Sequence, residues 1–459
     1  MPTLAKQRLT DGVLPGQRML IVGLGKTGLS CARFLHARGY EVAITDSRGA
    51  PPGLDGVRAE LPDLAVFVDG FDAGAFERAD CLVVSPGVAL REPLVAEALR
   101  RGVPVLGDIE IFARYARAPV VAITGSNGKS TVTTLMGEMA RYAGRIVRVG
   151  GNLGPPALEL LGPDEPHLYV LELSSFQLES TASLRAAAAA VLNISEDHMD
   201  RYPTLAQYAA AKARVLAGAA SAVVNADDAA VMAMLDTQRP QRVIPFTLGT
   251  PATDGYGITE QAGESWLARG DEALLEVSRL HIFGRHNHAN ALAALALGEA
   301  VGLARPAMLE ALEHFTGLPH RCQWVARHNE VTWFNDSKAT NVGATLAALE
   351  GIAAEGVVLI AGGQGKGQDF APLREAVHRR ARALVLLGED ASAIATAVDS
   401  TVPVHRVATL ADAVATAAAV AVAGDAVLLS PACASFDMFD GYEDRGAQYI
   451  AAVRDLLGC

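Results

Sequence analysis

Val120-Val-Ala-Ile-Thr-Gly125-Ser-Asn-Gly128-Lys129-Ser130-Thr131 decides how the middle of this chain must fold. An apolar, β-branched run enters a glycine-rich turn, and a helix-forming stretch, Thr131-Val-Thr-Thr-Leu, leaves it. Strand, turn and helix in that order make one unit of an α/β sheet, and the turn leaves backbone N–H groups facing outward, where phosphate oxygens can be held. A full Walker loop has glycine five residues before Gly128. Ile123 stands there instead, so this is a shortened relative of that loop. The turn residues Gly125, Ser126, Asn127 and Gly128 would cradle phosphate, and Lys129 would meet its terminal charge. A Ser130 or Thr131 hydroxyl would reach Mg²⁺. A lysine between such glycines and a helix has few purely structural uses.

The same alternation continues in both directions. Apolar runs at Arg18–Val22, Glu41–Thr45, Cys81–Val84, Leu168–Leu171, Val191–Ile194, Val357–Ala361, Ala383–Leu387 and Ala426–Ser430 are separated by longer Ala/Leu-rich stretches. Most are continuously apolar, as strands buried on both faces of a parallel sheet must be, so the chain reads as α/β throughout. Ala186–Ala190 has helix propensity, but Val191-Leu-Asn-Ile follows it and makes it the entry to a buried strand. Ala413–Ala423 reads as a helix. A length of 459 residues, at about 150 per domain, suggests three domains. Breaks are expected near Val105–Asp108 and near Gly317–Arg321, giving domains 1–107, 108–317 and 318–459.

Half the residues are hydrophobic and a fifth are charged, the balance of a well-packed protein. A net charge of −12 disfavours nucleic acid or an anionic membrane as the partner. A few local cations can still hold a phosphorylated ligand. The five cysteines, Cys31, Cys81, Cys322, Cys433 and Cys459, are never closely spaced, which suits reduced thiols better than disulfides or a zinc site. The opening MPTLAKQRLTDG lacks the apolar core of a signal peptide, and no apolar run approaches ~20 residues. A cytoplasmic location is expected.

A second glycine turn, Gly23-Leu-Gly25-Lys-Thr-Gly28, follows the strand Arg18–Val22 and opens a helix, with Asp46 after the next strand. Such a turn can bring N–H groups to a diphosphate, and the acid can grasp a ribose or base edge. It also fits a dinucleotide, or a tight turn without a ligand. Beside the central loop, however, it suggests two phosphate sites: ATP and a nucleotide-linked substrate. Glu172 should end the strand at Leu168–Leu171, on the sheet edge where ligands gather. Asn193-Ile-Ser-Glu196-Asp-His198-Met-Asp200 leaves the next strand at a similar level. A carboxylate, an imidazole and a hydroxyl converging on triphosphate would suit Mg²⁺, which prefers oxygen and keeps several waters. His198 alone could equally be a hydrogen-bonded loop histidine. Lys212, within the helical stretch Tyr208–Leu216, reads from composition as part of a solvated face.

Across nearly its whole length the chain resembles the Mur ligases. The likeness rests on Thr124–Thr131, Gly150-Gly-Asn152, Leu171-Glu-Leu-Ser-Ser-Phe176 and Glu196-Asp-His-Met-Asp200. It continues at Gly317-Leu-Pro-His-Arg321, Asn335-Asp-Ser-Lys-Ala-Thr-Asn341 and Leu429-Ser-Pro-Ala-Cys-Ala-Ser-Phe-Asp437. The resemblance implies a UDP-binding Rossmann-like domain, a central P-loop ATPase-like domain and a Rossmann-like C-terminal domain. It implies a monomer that uses ATP to join D-glutamate to UDP-N-acetylmuramoyl-L-alanine through an acyl phosphate, in peptidoglycan precursor synthesis. Lys26, Thr27, Asp46, Ser47, Arg48, Ser85 and Gly87 would then contact uridine diphosphate, with Asn152 and His198 nearer the sugar-linked end. Ser130 and Glu172 would hold one Mg²⁺ and His198 a second. Asn287, Asn290, Arg321 and Asp336 would contact the ATP base and ribose. Thr340, Lys366, Ser435, Phe436 and Tyr442 would hold D-glutamate. Lys212 falls at the family's carbamylated lysine, where condensation with CO₂ would turn a repelled ammonium into an oxygen ligand. One departure is Gln364, in Gly362-Gly-Gln364-Gly-Lys366, where relatives carry Asp. The Asp-Asn-Pro-Arg segment of diaminopimelate-adding relatives does not occur. A folate polyglutamylating relative would lack the first domain, a dehydrogenase would leave Lys129 and Glu172 unexplained, and a plain binding module would need no Mg²⁺ ligands.

Overall fold

Strands apolar on both faces form the middle of each of three sheets in the computed structural model, which describes residues 14, 16–195, 197–198, 201–238, 240–365, 367–399 and 402–458. The first sheet holds β1 (Arg18–Val22), β2 (Glu41–Thr45), β3 (Ala65–Phe67), β4 (Cys81–Val84) and β5 (Val105–Leu106). Their order is β3-β2-β1-β4-β5 and every pairing is parallel. The chain steps outward from β1 to β3, then returns to β4 on the other side. That reversal opens a crevice at the C-terminal ends of β1 and β4.

The second sheet contains β6 (Val120–Thr124), β7 (Val147–Gly151), β8 (Leu168–Glu172), β9 (Ala188–Val191), β10 (Ser221–Asn225), β11 (Arg242–Phe246), β12 (Tyr256–Gln261), β13 (Glu264–Arg269) and β14 (Glu272–Glu276). Its order is β14-β13-β12-β11-β10-β9-β6-β8-β7. The phosphate-loop strand β6 is flanked by β8 and β9, both parallel to it. The expected strand Val191–Ile194 begins earlier: the alanine tract itself is β9, and residues beyond Val191 leave the sheet. Ala188, Ala189 and Ala190 are wholly buried, and their small side chains suit a central strand with layers on both faces.

The α/β expectation also missed the antiparallel ribbon β12–β14. Its only signals are turn residues, Ala262-Gly263 and Gly270-Asp271, and its strands are half-exposed rather than continuously apolar.

The third sheet comprises β15 (Gln323–His328), β16 (Val331–Asn335), β17 (Val357–Ala361), β18 (Ala381–Leu386), β19 (Val404–Arg406) and β20 (Ala426–Leu429). It is ordered β15-β16-β20-β17-β18-β19, and β15 alone runs antiparallel to its neighbour. The helix expected at Ala413–Ala423 spans Leu410–Val420, capped by the Thr409 hydroxyl.

The backbone divides into two compact units, Met1–Val277 with Ala289–Leu312, and Ser278–His288 with Glu313–Cys459. The first unit carries the first two sheets over a shared core that includes Ile21, Phe112, Tyr169 and Val191. In the second unit, separate apolar clusters around Leu359 and around Val427 contain side chains from alternate positions of the third sheet. Among the described residues no helix is long and apolar enough to cross a membrane, and Cys31, Cys81, Cys322 and Cys433 are free thiols.

Candidate active site

The turn after β1 is closed by contacts only glycine permits. A β-carbon on Gly28 would lie 2.1 Å from the Gly23 carbonyl oxygen. Ser85, at the end of β4, donates its hydroxyl to that same carbonyl at 2.6 Å. Asp46 is buried at the end of β2 and accepts from the Leu24 N–H at 2.6 Å, the Arg48 N–H at 2.9 Å and the Arg48 guanidinium at 2.7 and 2.9 Å. Burial would raise its pKa, but these donors outweigh it and hold the carboxyl at about 2. Asp46 is thus an ionised anchor for the loop. Lys26, Ser47, Arg48 and Gly87 are exposed around it, while Thr27 is half-buried.

The central loop places two lysines on one carbonyl. Gly128 has φ +82° and caps the helix Lys129–Tyr142; a side chain there would strike the Asn290 amide oxygen at 2.3 Å. Lys129 donates to the carbonyls of Gly125 at 2.9 Å and Ser126 at 2.8 Å. Lys212 reaches the Gly125 carbonyl at 2.8 Å and the Thr124 hydroxyl at 3.3 Å. Lys212 is 2 % exposed, so the solvated-face reading of its helix position is wrong: the helix Leu205–Ala213 turns this residue inward beneath the loop. Burial, reinforced by the Lys129 charge, lowers the Lys212 pKa to about 7. Lys129 is lowered too, by burial.

Glu172 ends β8 beside this pair. Its carboxylate accepts from the Ser130 hydroxyl at 2.7 Å and the Asn152 amide at 2.6 Å. Asn193 clamps the loop from the other side, accepting from the Asn127 N–H at 2.8 Å and donating to its carbonyl at 3.1 Å. The Ser126 hydroxyl accepts the Ser195 N–H at 2.9 Å. Tyr208 joins them, its hydroxyl accepting from that of Ser126 at 3.3 Å, and sequence reasoning assigns none of Asn193, Ser195 and Tyr208 a role. Only their position after β9 and in the following helix hinted at one.

His198 lies in the left-handed region at φ +56°, and its carbonyl accepts the N–H groups of Arg201 and Tyr202. Its ring is 4.7 Å from that of Phe176 and 6.4 Å from that of Tyr208, and its Nε2 is 3.5 Å from the Asp197 carboxylate. Glu196, Met199 and Asp200 lie outside the described residues.

In the second unit, Asp336 follows β16 and accepts from the Ser430 hydroxyl at 2.8 Å and the Cys322 N–H at 3.1 Å. Burial pushes its pKa up to about 6. Asn287 donates to the Phe283 carbonyl at 2.9 Å, and Arg321 is exposed. Thr340 is half-buried, Ser435 is buried and Phe436 is 67 % exposed. The Tyr442 hydroxyl accepts from the Lys338 ammonium at 3.1 Å. The buried Arg445 ties Ser337 to the Cys433 and Ala434 carbonyls. Gln364 pairs with Ala434 through the backbone, and Lys366 lies outside the described residues.

Known proteins match this arrangement along most of the chain. The profile for the N-terminal domain of MurD-like Mur ligases covers residues 17–107, that of the Mur ligase middle domain 123–298, and that of the Mur ligase glutamate ligase domain 320–433. A UDP-N-acetylmuramoylalanine–D-glutamate ligase of Nitrosococcus oceani is 58 % identical over 441 residues, 96 % of this chain and 97 % of that protein. The like-named ligase of Pseudomonas aeruginosa is 53 % identical over 440 residues, 95 % and 98 % of the two chains. Among solved structures, the UDP-N-acetylmuramate-alanine ligase MurC of Thermotoga maritima shares the fold. It has a TM-score of 0.53 at 18 % identity, covering 96 % of this chain and 99 % of that one. Successive domain profiles of a single family, and relatives more than half identical from one end to the other, lead to one statement: the chain belongs to the Mur ligases, among their D-glutamate-adding members.

Proposed function

We propose that the chain uses ATP to join D-glutamate to UDP-N-acetylmuramoyl-L-alanine, releasing ADP and phosphate, as a cytoplasmic monomer in peptidoglycan precursor synthesis. The observation that carries this reading is the pair Lys129 and Lys212 on the Gly125 carbonyl, beside the Ser130–Glu172 pair. That places the Lys129 ammonium and a second, buried lysine under the glycine-rich loop, with an anchored carboxylate at its edge. The near-full-length identity with D-glutamate ligases supports the choice of substrates.

In this reading Lys129 exchanges its two loop carbonyls for the terminal phosphate when ATP enters, and the loop N–H groups from Gly125 to Thr131 take the remaining oxygens. The alanyl carboxylate attacks the γ-phosphorus and ADP leaves. The amine of D-glutamate then attacks the acyl carbon, and phosphate departs with the former carboxylate oxygen. Lys129 stabilises the charge that develops in both steps. Asn290, Asn287, Arg321 and Asp336 remain the proposed contacts of the ATP base and ribose. Lys26, Thr27, Asp46, Ser47, Arg48, Ser85, Gly87 and Asn152 remain those of the UDP-linked substrate. Thr340, Lys366, Ser435, Phe436 and Tyr442 are proposed for D-glutamate.

The donors next to the loop suit Mg²⁺. Ser130 and Glu172 offer hard oxygens only, and no cluster of three His, Cys, Asp or Glu occurs among the described residues. A metal that keeps waters and phosphate oxygens needs no more than this. His198 is proposed for a second ion. When bound, Mg²⁺ would polarise the phosphoryl oxygens and offset their charge. A Lys212 pKa of about 7 leaves a neutral amine available near physiological pH, the form that condenses with CO₂, so the chain supports a carbamate at this position.

The test is phosphate release with ATP, Mg²⁺ and UDP-N-acetylmuramoyl-L-alanine, run in parallel with D-glutamate, L-glutamate or diaminopimelate. Release that needs D-glutamate supports the reading, release with another amino acid replaces the substrate, and silence with all three removes it.

A further inference from the structure

Arg201 belongs to none of the groups above, yet it is held more completely than most of them. Its guanidinium donates to the Glu179 carboxylate at 2.7 Å, to the Val88 carbonyl at 3.3 Å and to the Pro86 carbonyl at 3.4 Å. It lies 4.4 Å from the centre of the Phe176 ring, whose other contacts include the His198 ring at 4.7 Å. Its side chain is 11 % exposed. The contact is returned: Arg91, a few residues beyond Gly87, donates to the Arg201 carbonyl at 2.6 Å. The Arg201 N–H in turn fixes the left-handed turn at His198.

These contacts join two loops. One, Ser85–Val88, follows β4 at the crevice of the first sheet. The other carries His198, Arg201 and Tyr202, after β9 and beside the phosphate loop. A planar guanidinium spanning a carboxylate and two carbonyls, with an aromatic ring beneath it, has one geometry that satisfies all of them. A lysine could reach one partner but not all three. Displacing either loop by an ångström would break the set.

We propose that Arg201 is a positioning residue that sets the distance between the diphosphate-binding loop Ser85–Val88 and the His198 turn. A UDP-linked substrate held at the first loop then delivers its carboxylate to the phosphate loop. The proposal rests on the ligase reading above. It requires a substrate long enough to engage both loops, since a nucleotide confined to the first crevice would not sense the spacing.

The experiment compares wild type, Arg201→Gln, Arg201→Lys and Glu179→Gln. It measures UDP binding by calorimetry, ligase kinetics for each substrate, and thermal unfolding. Arg201→Gln is expected to bind UDP alone within about twofold of wild type. Its KM for UDP-N-acetylmuramoyl-L-alanine should rise about tenfold or more and its kcat fall by a similar factor, with KM for ATP unchanged. Glu179→Gln should shift the same parameters less, because the carbonyl contacts and the ring remain, and Arg201→Lys should recover part of the loss. Unchanged kcat and unchanged KM for the long substrate in Arg201→Gln would overturn the proposal. So would equal loss of UDP binding, ATP affinity and thermal stability in both Gln variants, which is the pattern of a merely structural residue. Failure of the wild type to turn over the UDP-linked substrate would remove the ligase reading itself, and the wild-type arm detects that separately.

Discussion

Replacing Lys212 by methionine should make the protein more stable at neutral pH while destroying its activity. Burial first, and the neighbouring Lys129 charge second, bring the Lys212 pKa from 10.5 to about 7. At 1.36 kcal/mol per pKa unit, holding that ammonium in the folded chain at pH 7 or below costs roughly 5 kcal/mol. The sign follows from proton counting. Between pH 7 and 10.5 the unfolded lysine keeps a proton that the folded one has released, so stability rises with pH across that window. Methionine has a similar length and no charge. Both partners that lose Lys212 keep another bond: the Gly125 carbonyl accepts from Lys129 at 2.9 Å, and the Thr124 hydroxyl donates to the Leu173 carbonyl at 2.8 Å. In CO₂-depleted buffer Lys212→Met should therefore exceed the parent by up to about 5 kcal/mol at pH 7, with the gap narrowing by as much as ~1.4 kcal/mol per pH unit toward pH 10. Urea unfolding followed by circular dichroism at several pH values measures this directly. Adding bicarbonate should stabilise the parent and leave the variant unmoved. A difference between the two proteins that stays flat with pH would refute the reasoning, because it would mean that Lys212 titrates as an ordinary lysine.

Other perturbations test other parts of the molecule. Lys129→Ala should reduce ADP formation at least about a hundredfold, and wild-type ADP release by that variant would end its assignment to phosphoryl transfer. Gly28→Ala forces a β-carbon to within 2.1 Å of the Gly23 carbonyl; the turn must open, and KM for the UDP-linked substrate should rise about tenfold while KM for ATP holds. Asp108 is fully buried, one of its oxygens has no hydrogen bond, and burial pushes its pKa from 3.8 to about 6. Its ionised form opposes folding above pH 6 and that opposition is gone below pH 3.8. Asp108→Asn should accordingly add up to about 3 kcal/mol at pH 7 and nothing near pH 3.5, as read by denaturation at the two pH values.

What could be read from the chain beforehand followed periodicity and local chemistry. Continuous apolar runs located the most buried parallel strands of each sheet, β1, β2 and β4, β6 and β8, and β17, β18 and β20, and glycine turns marked the loops after β1 and β6, since each depends on a handful of adjacent residues. Elements governed by distant contacts were hidden. The bounds of β9 were among them: the alanine tract, expected as the entry to a strand at Val191–Ile194, is itself the strand because β6 and β10 pair with it on either side. The ribbon β12–β14 is half-exposed and announces itself through two turns alone. Lys212 looked like a surface residue because nothing within its own helix reveals that the phosphate loop lies over it. Arg201 could not be found at all, because its partners at Pro86 and Val88 are more than a hundred residues away.

The ribbon has a further consequence at the margin of the nine-stranded sheet, whose outermost strands are β14 and β7. An unpaired strand edge is a template for another chain's backbone, and long apolar edges lead to self-association. Here β14 is short and begins and ends with glutamate, one of which is paired with Arg305. On the opposite margin β7 ends in two glycines, and Arg148 within it is turned aside to the carbonyls of Leu160 and Asp164. Open margins on a sheet of this width would otherwise be sites for self-association. The charged ribbon on one margin and the guanidinium-guarded strand on the other discourage stray chains from extending it.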